Sequence, residues 1–278
     1  MTKNPFHESP VMPEMFDGGK SIRFRCGKDI ACFNACCQSA DISLTPYDII
    51  RLKRHLGISS SEFLERHTVP YEMEKDGIAG IKLKPAEGST ACPFMTDAGC
   101  SVYEDRPTAC RYYPLAHLSM RKQDEYVDRS GYALVIENHC LGHREDREIT
   151  VDAYRGEQEL ERFDEASRGW RQIILKKKSS GPSVGKPSRR SLQLFFTACY
   201  DIDRFRDFVY SDGFILLFDL PEEEYLGFED DEKLLEFSYR FLRQVLFGES
   251  TIPLREEIAE SRRDRLLRRR AFDPGDED

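Results

Sequence analysis

The chain has 278 residues, of which 40% are apolar and 11% aromatic, enough to bury a real core. One third is charged and the longest strongly apolar run, Phe214 to Phe218, has five residues, whereas a membrane-spanning helix needs ~20. A net charge of −9 argues against a dedicated nucleic-acid binder, because phosphate contacts need a basic surface.

The first residues carry no apolar segment of the secretory type, so the expectation is a cytoplasmic protein with no membrane and no nucleic-acid partner. Residues 1–20, with three prolines and the Gly18-Gly19 pair, read as a flexible arm. A cysteine-rich stretch follows. Thr45 then reads as the cap of a helix, with Pro46 in its first turn, Ile49, Ile50, Leu52 and Leu56 as its buried stripe, and Gly57 as its close. Ser59 and Glu62 stand in capping-box spacing ahead of Phe63 and Leu64, which predicts a second short helix. Residues 78–84 read as a strand.

The runs on either side of Thr96-Asp97-Ala98-Gly99 predict a hairpin that brings Cys92 and Cys100 together. Arg106-Pro107-Thr108 opens a helical turn carrying Cys110, which Pro114 stops. Tyr132 to Ile136 reads as a strand leading to His139 and Cys140. Residues 149–178 read as one polar helix with Leu160, Phe163, Trp170, Ile173 and Ile174 on its apolar face. Residues 179–190 read as a linker, and the basic, acid-free stretch from Arg171 to Arg190 as solvated and flexible. Residues 191–270 predict a mostly helical region, with Phe214 to Phe218 as a short buried strand and Leu234 to Val245 as a long core helix. Leu254 to Arg270 reads as an exposed amphipathic helix suited to a protein partner, and residues 271–278 as a disordered acidic tail. The fold class expected is α+β, with a loop-rich cysteine domain over 21–148 ahead of the helical region.

Chemistry concentrates in the cysteines. Eight of the nine lie between Cys26 and Cys140, and four of those within Cys26 to Cys37. In a reducing compartment, clustered thiols point to metal ligation or redox chemistry before structural disulfides. The first cluster, Cys26-x5-Cys32-x3-Cys36-Cys37, sets Cys32 and Cys36 at i,i+4, on one face if the segment is helical, while Cys37 points elsewhere. The second is Cys92-x7-Cys100-x9-Cys110, with Cys140 thirty residues on. Zinc takes four thiolates, and iron–sulfur clusters are also commonly held by four. Eight thiols therefore make two four-sulfur sites, or one site plus supporting or redox cysteines. Cys199, alone in an apolar helical run, reads as core.

The string from Cys92-Pro93-Phe94-Met95 through Gly99-Cys100-Ser101-Val102-Tyr103 to Arg106-Pro107-Thr108-Ala109-Cys110-Arg111-Tyr112-Tyr113-Pro114 resembles the YkgJ-like cysteine-cluster family, also known as CxxCxxCC. Cys36-Cys37 followed by Leu44-Thr45-Pro46-Tyr47-Asp48-Ile49 is similar to the same family, as is Leu56-Gly57-Ile58 leading into Glu62-Phe63-Leu64. The resemblance spans roughly residues 24–145. It departs in the first cluster, where the gaps are five and three residues rather than two. It implies a domain that chelates zinc or iron, with an iron–sulfur cluster as one form, and Cys26, Cys32, Cys36, Cys37, Cys92, Cys100, Cys110 and Cys140 as its metal ligands. The flagellin lysine methylase carries a cluster of this kind, which implies an alternative use in an enzyme that modifies another protein. A structural zinc site in an adaptor is the remaining alternative.

His139 and His143, at i,i+4 around Cys140, are imidazoles of a kind that ligates zinc or iron. Asp105, Arg106 and Arg111 bracket Cys110, and the simplest expectation is an Asp105–Arg106 ion pair that ties down the Pro107 turn. Gly181-Pro182-Ser183-Val184-Gly185 has the spelling of a nucleophile elbow but sits in the linker, without the strand and helix that strain such a serine.

Overall fold

The computed structural model describes residues 10–39, 41–74, 78–120, 129–179 and 187–261. Helix α1 (Pro46–Leu56) begins where expected: the Thr45 hydroxyl accepts from the Asp48 N–H, and the Asp48 carboxylate accepts from the Thr45 N–H, a reciprocal capping box. Gly57, at φ 67°, closes the helix in the left-handed conformation. Helix α2 (Ser60–His67) is capped by the Ser59 hydroxyl, which accepts from the Glu62 N–H. Both helices lie beside a three-stranded antiparallel sheet. Its order is β2 (Ser43–Leu44), β4 (Ile78–Leu83), then β3 (Thr68–Glu74). The sequence does not announce β3, because Pro70 and alternating glutamates weaken its pattern; β3 is an edge strand, the place where a sheet tolerates proline.

The apolar stripe of α1 faces the C-terminal helices. Helices α5 (Leu160–Ser179), α6 (Arg189–Tyr200), α7 (Ile202–Val209) and α10 (Asp231–Phe247) share one core with α1, α2 and β4. Ile49, Leu52 and Phe63 meet Phe195, Cys199, Phe205, Leu234 and Leu242 there, all fully enclosed. Each such side chain contributes about 1.5–3 kcal/mol through burial. Cys199 is thus a core residue, as expected. A buried ionic junction reinforces the contact: the Lys53 ammonium lies 2.6 Å from Asp203 and 3.2 Å from Asp231, and Arg206 reaches both carboxylates.

A second, smaller core lies under the strand pair β1 (Ser21–Arg23) and β9 (Glu148–Thr150), helix α3 (Thr108–Tyr112), helix α4 (Val151–Glu157), and the hairpin of β7 (Leu115–Met120) and β8 (Arg129–Leu134). Residues 10–20 do not float free. The Met12 N–H donates to the Leu134 carbonyl, and Phe16 and Tyr132 exchange two backbone hydrogen bonds of 2.9 Å. They run along the exposed edge of β8 because that edge offers unpaired backbone groups.

Three further expectations are corrected. The polar helix over 149–178 is two helices, α4 and α5, separated at Gln158-Glu159, where Glu159 takes φ 55°. The break frees the Gln158 carbonyl and side chain to bind Arg111 and Arg106. Phe214 to Phe218 is not a strand: Asp212–Ile215 forms a short helix, α8. Phe214 and Phe218 are four apart, stack on each other at 4.5 Å and face Phe241, so their spacing is helical. The basic stretch starts inside α5, with Lys177 buried and Arg171 donating to the Asp164 carbonyl. Most of the linker, 180–186, and the tail from 262 onward lie outside the described residues. Short strands in small sheets and a helical C-terminal region make the fold α+β. Among the described residues no helix is long and apolar enough to cross a membrane.

Candidate metal centre

The eight clustered thiols come from loops and element ends that the two cores hold in place. Cys26 and Cys32 lie in the turns after β1, and Cys36 and Cys37 in one 3-10 turn, Ala35–Cys37. Asn34 enters that turn at φ 65°, and its side-chain amide donates to the Thr96 carbonyl at 2.9 Å, tying the first cysteine loop to the second. Cys92 precedes the hairpin of β5 (Met95–Thr96) and β6 (Gly99–Cys100), and its N–H donates to the Cys37 carbonyl at 2.7 Å. Cys110 sits in α3. Cys140 follows β8, beside Leu141, whose N–H donates to the Cys32 sulfur at 3.2 Å. One position further, the Gly142 carbonyl accepts from the Arg25 N–H at 3.2 Å. A Cβ on Gly142 would stand 2.6 Å from the Arg25 carbonyl oxygen, so this junction requires glycine.

The sulfurs of Cys36 and Cys37 are 4.0 Å apart. Partial desolvation raises the Cys26 thiol, and the neighbouring sulfurs of Cys36, Cys32 and Cys140 raise it further. The hydrogen bond from Cys37 holds Cys36 down to about 7, while Cys37 itself is pushed up, with Cys92 and Cys110 close by. Burial also raises Cys92, Cys100 and Cys110. Against it act backbone N–H groups aimed at sulfur: those of Phe94 and Met95 at Cys92, and that of Val102 at Cys100. Amide donors around a sulfur favour its thiolate, the form that binds metal. The donor set is thus suited in kind to zinc or iron. Among the described residues, no three His, Cys, Asp or Glu side chains are arranged closely enough to hold an ion as they stand. All nine cysteines are free thiols.

Two sequence expectations about the thiols change. The Cys32–Cys36 segment is a series of turns rather than an α-helix, so no helical face unites those sulfurs. The hairpin pairs Cys100 with Met95 rather than with Cys92, which stands just outside it and keeps Cys100 as a neighbour. The charged residues around Cys110 are structural, with other partners than expected. Asp105 binds Arg51 and His55, and Arg106 lies over the Tyr103 ring at 4.0 Å. Arg111 is buried among the carbonyls of Glu104, Arg106 and Gln158. His143 lies against Phe24 with its Nε2 at 3.1 Å from the Val135 carbonyl, and His139 pairs with Glu137.

Two features escaped the sequence reading. The fully buried Asp48 carboxylate accepts from the Thr108 N–H at 2.8 Å and from its hydroxyl at 2.6 Å. It therefore caps α1 and anchors the first turn of α3, the helix that carries Cys110. The buried Tyr113 hydroxyl lies beside the Cys140 thiol and Glu137. The motif spellings around Thr45 and Thr108 signalled both segments, but not that they meet.

Loops built around thiols, braced by small cores and backed by helices, carry the chain's cysteine cluster. Residues 25–140 match the model of the CxxCxxCC family, described as a "putative zinc- or iron-chelating domain". This agrees with the resemblance drawn from the motifs and with zinc or iron as the cofactor. No curated protein and no solved structure matches the chain.

Proposed function

We propose that the domain over residues 21–148 chelates zinc or iron through Cys26, Cys32, Cys36, Cys37, Cys92, Cys100, Cys110 and Cys140, in a reducing cytoplasm. The observation that carries this reading is that all eight clustered cysteines are free thiols in neighbouring loops, with amide donors aimed at three of their sulfurs. Coincidental burial does not account for it, because Cys26 and Cys36 are exposed. A loop-built domain of this kind folds with its metal, since the ion supplies cross-links that the small core does not. The C-terminal region over 191–270, helical in most of its described residues, is the proposed contact surface for a protein partner.

Anaerobic purification followed by visible absorption and analysis for iron, zinc and acid-labile sulfide tests the reading. A brown protein with iron and sulfide selects an iron–sulfur centre; a colourless one with stoichiometric zinc selects a chelating or structural site. Replacing Cys36 or Cys100 by Ser lowers bound metal and thermal stability together. Full metal content in both variants would remove the assignment.

A further inference from the structure

We infer that the recess between α6, α7, α8 and α10 binds a small apolar carboxylate of the fatty-acid type, at a site separate from the thiols. The recess has a volume of about 520 Å³, inside the range of roughly 300–1,000 Å³ typical of small-molecule sites. Its floor is aromatic, with Phe214, Phe218 and Phe241 each 5% exposed or less. Phe208 joins them, its ring centroid 5.4 Å from that of Phe214 and 5.6 Å from that of Phe241. Rings packed on one another fix each other's positions, so the recess stands formed before anything enters it. One wall is closed where Phe218 bridges to Leu254 and the Arg255 N–H donates to the Leu217 carbonyl at 3.2 Å. The rim residues Arg190, Ser211 and Gly213 are exposed. A buried floor below an exposed rim suits a slender chain entering end-on rather than a flat protein face.

The polar groups of the recess name the other end of the ligand. The Gln244 side-chain oxygen is engaged by the Ile252 N–H at 2.9 Å, and the Ser211 hydroxyl donates to the Phe208 carbonyl at 2.7 Å. Arg190, in the first turn of α6, has no hydrogen bond or ion pair among the described residues. That turn carries no acidic residue, and Arg189 adds a second positive charge next to it. An apolar interior with an uncommitted guanidinium at its mouth matches an apolar chain ending in a carboxylate, which the planar fork can take through two parallel hydrogen bonds. A neutral apolar ligand would leave the cation unused, and a bare phosphate would leave the aromatic floor unused.

The test titrates the full chain, purified anaerobically, with octanoate and separately with octanol in an isothermal calorimeter. Wild type is expected to bind octanoate saturably, one to one, and more tightly than octanol. Arg190→Gln is expected to weaken octanoate by roughly three- to fivefold, the worth of a partly exposed ion pair, and to leave octanol unchanged. Leu194→Trp, which places an indole in the recess, is expected to abolish both. Absence of saturable octanoate binding below millimolar concentration overturns the proposal. So does an Arg190→Gln variant with wild-type octanoate affinity, or a folded Leu194→Trp variant that still binds, since either puts the ligand elsewhere. Should Leu194→Trp fail to fold, which far-UV circular dichroism reports, Arg190→Gln decides the matter, because its side chain lies on the surface.

Discussion

At the scale of single residues, Asp48 does more than its place in a capping box suggests. Burial alone would push its carboxyl up, and hydrogen bonds from Thr45 and Thr108 act against that. Asp48→Ala leaves a backbone N–H and a hydroxyl of α3 unsatisfied as well as removing the α1 cap. The expected cost is about 2–4 kcal/mol, read as a lower urea midpoint, with a parallel loss of bound metal because Cys110 is released. A variant with the wild-type midpoint would show that Thr108 is held by other means. The capping of α1 was legible in Thr45, Pro46 and Gly57, since caps are local chemistry. The Asp48–Thr108 contact was not, because no local rule connects residues sixty positions apart. The same limit explains Asp105, whose partner Arg51 lies on another helix rather than at the neighbouring Arg106.

At the scale of elements, the junction of α1 with α7 and α10 is ionic as well as apolar. Burial works against ionised Asp203, but Lys53, the Ser60 N–H and Arg206 outweigh it and hold the carboxyl down to about 2. Its unfolded value is ~3.9. A depressed carboxyl contributes stability that is present above the unfolded value and lost as pH falls through the folded one. Between about pH 4 and 2 the protein should therefore lose about 1–2 kcal/mol through this group, allowing for its partial exposure. Asp203→Asn should be less stable at neutral pH and show a shallower decline over that window in urea titrations. An unchanged slope would place the acid sensitivity elsewhere. Element types were readable wherever periodicity was long, as in α1 and α10. They failed where two residues decided the outcome, at the Gln158-Glu159 break and in the helical spacing of Phe214 and Phe218.

At the scale of the whole molecule, the α1 stripe that caps the cysteine domain is also the floor of the C-terminal helical core. A fragment ending near residue 148 would expose Ile49, Leu52 and Phe63, each now at 1% accessibility or less. Such a fragment should aggregate or bind the hydrophobic dye ANS, whereas the full chain should not. A monomeric fragment that keeps its full metal content would show the cysteine domain to be autonomous. Sequence composition located the cysteine-rich half and the helical half; it carried no sign that one apolar surface serves both.

The hydrogen bond between Arg25 and Gly142 marks where the cysteine domain's chain returns to its beginning. Cys26 and Cys140 lie 114 positions apart in the chain, so a metal ion shared by them would close a ring of that length. A covalent link closing a loop of about 100 residues restricts the unfolded chain by roughly 4–5 kcal/mol in the loop-entropy picture. An ion shared by Cys26 and Cys140 would act on the denatured ensemble in the same way, but reversibly. The clasp would open on chelation and close again on reloading, and the lifetime of the folded domain would follow the supply of free metal.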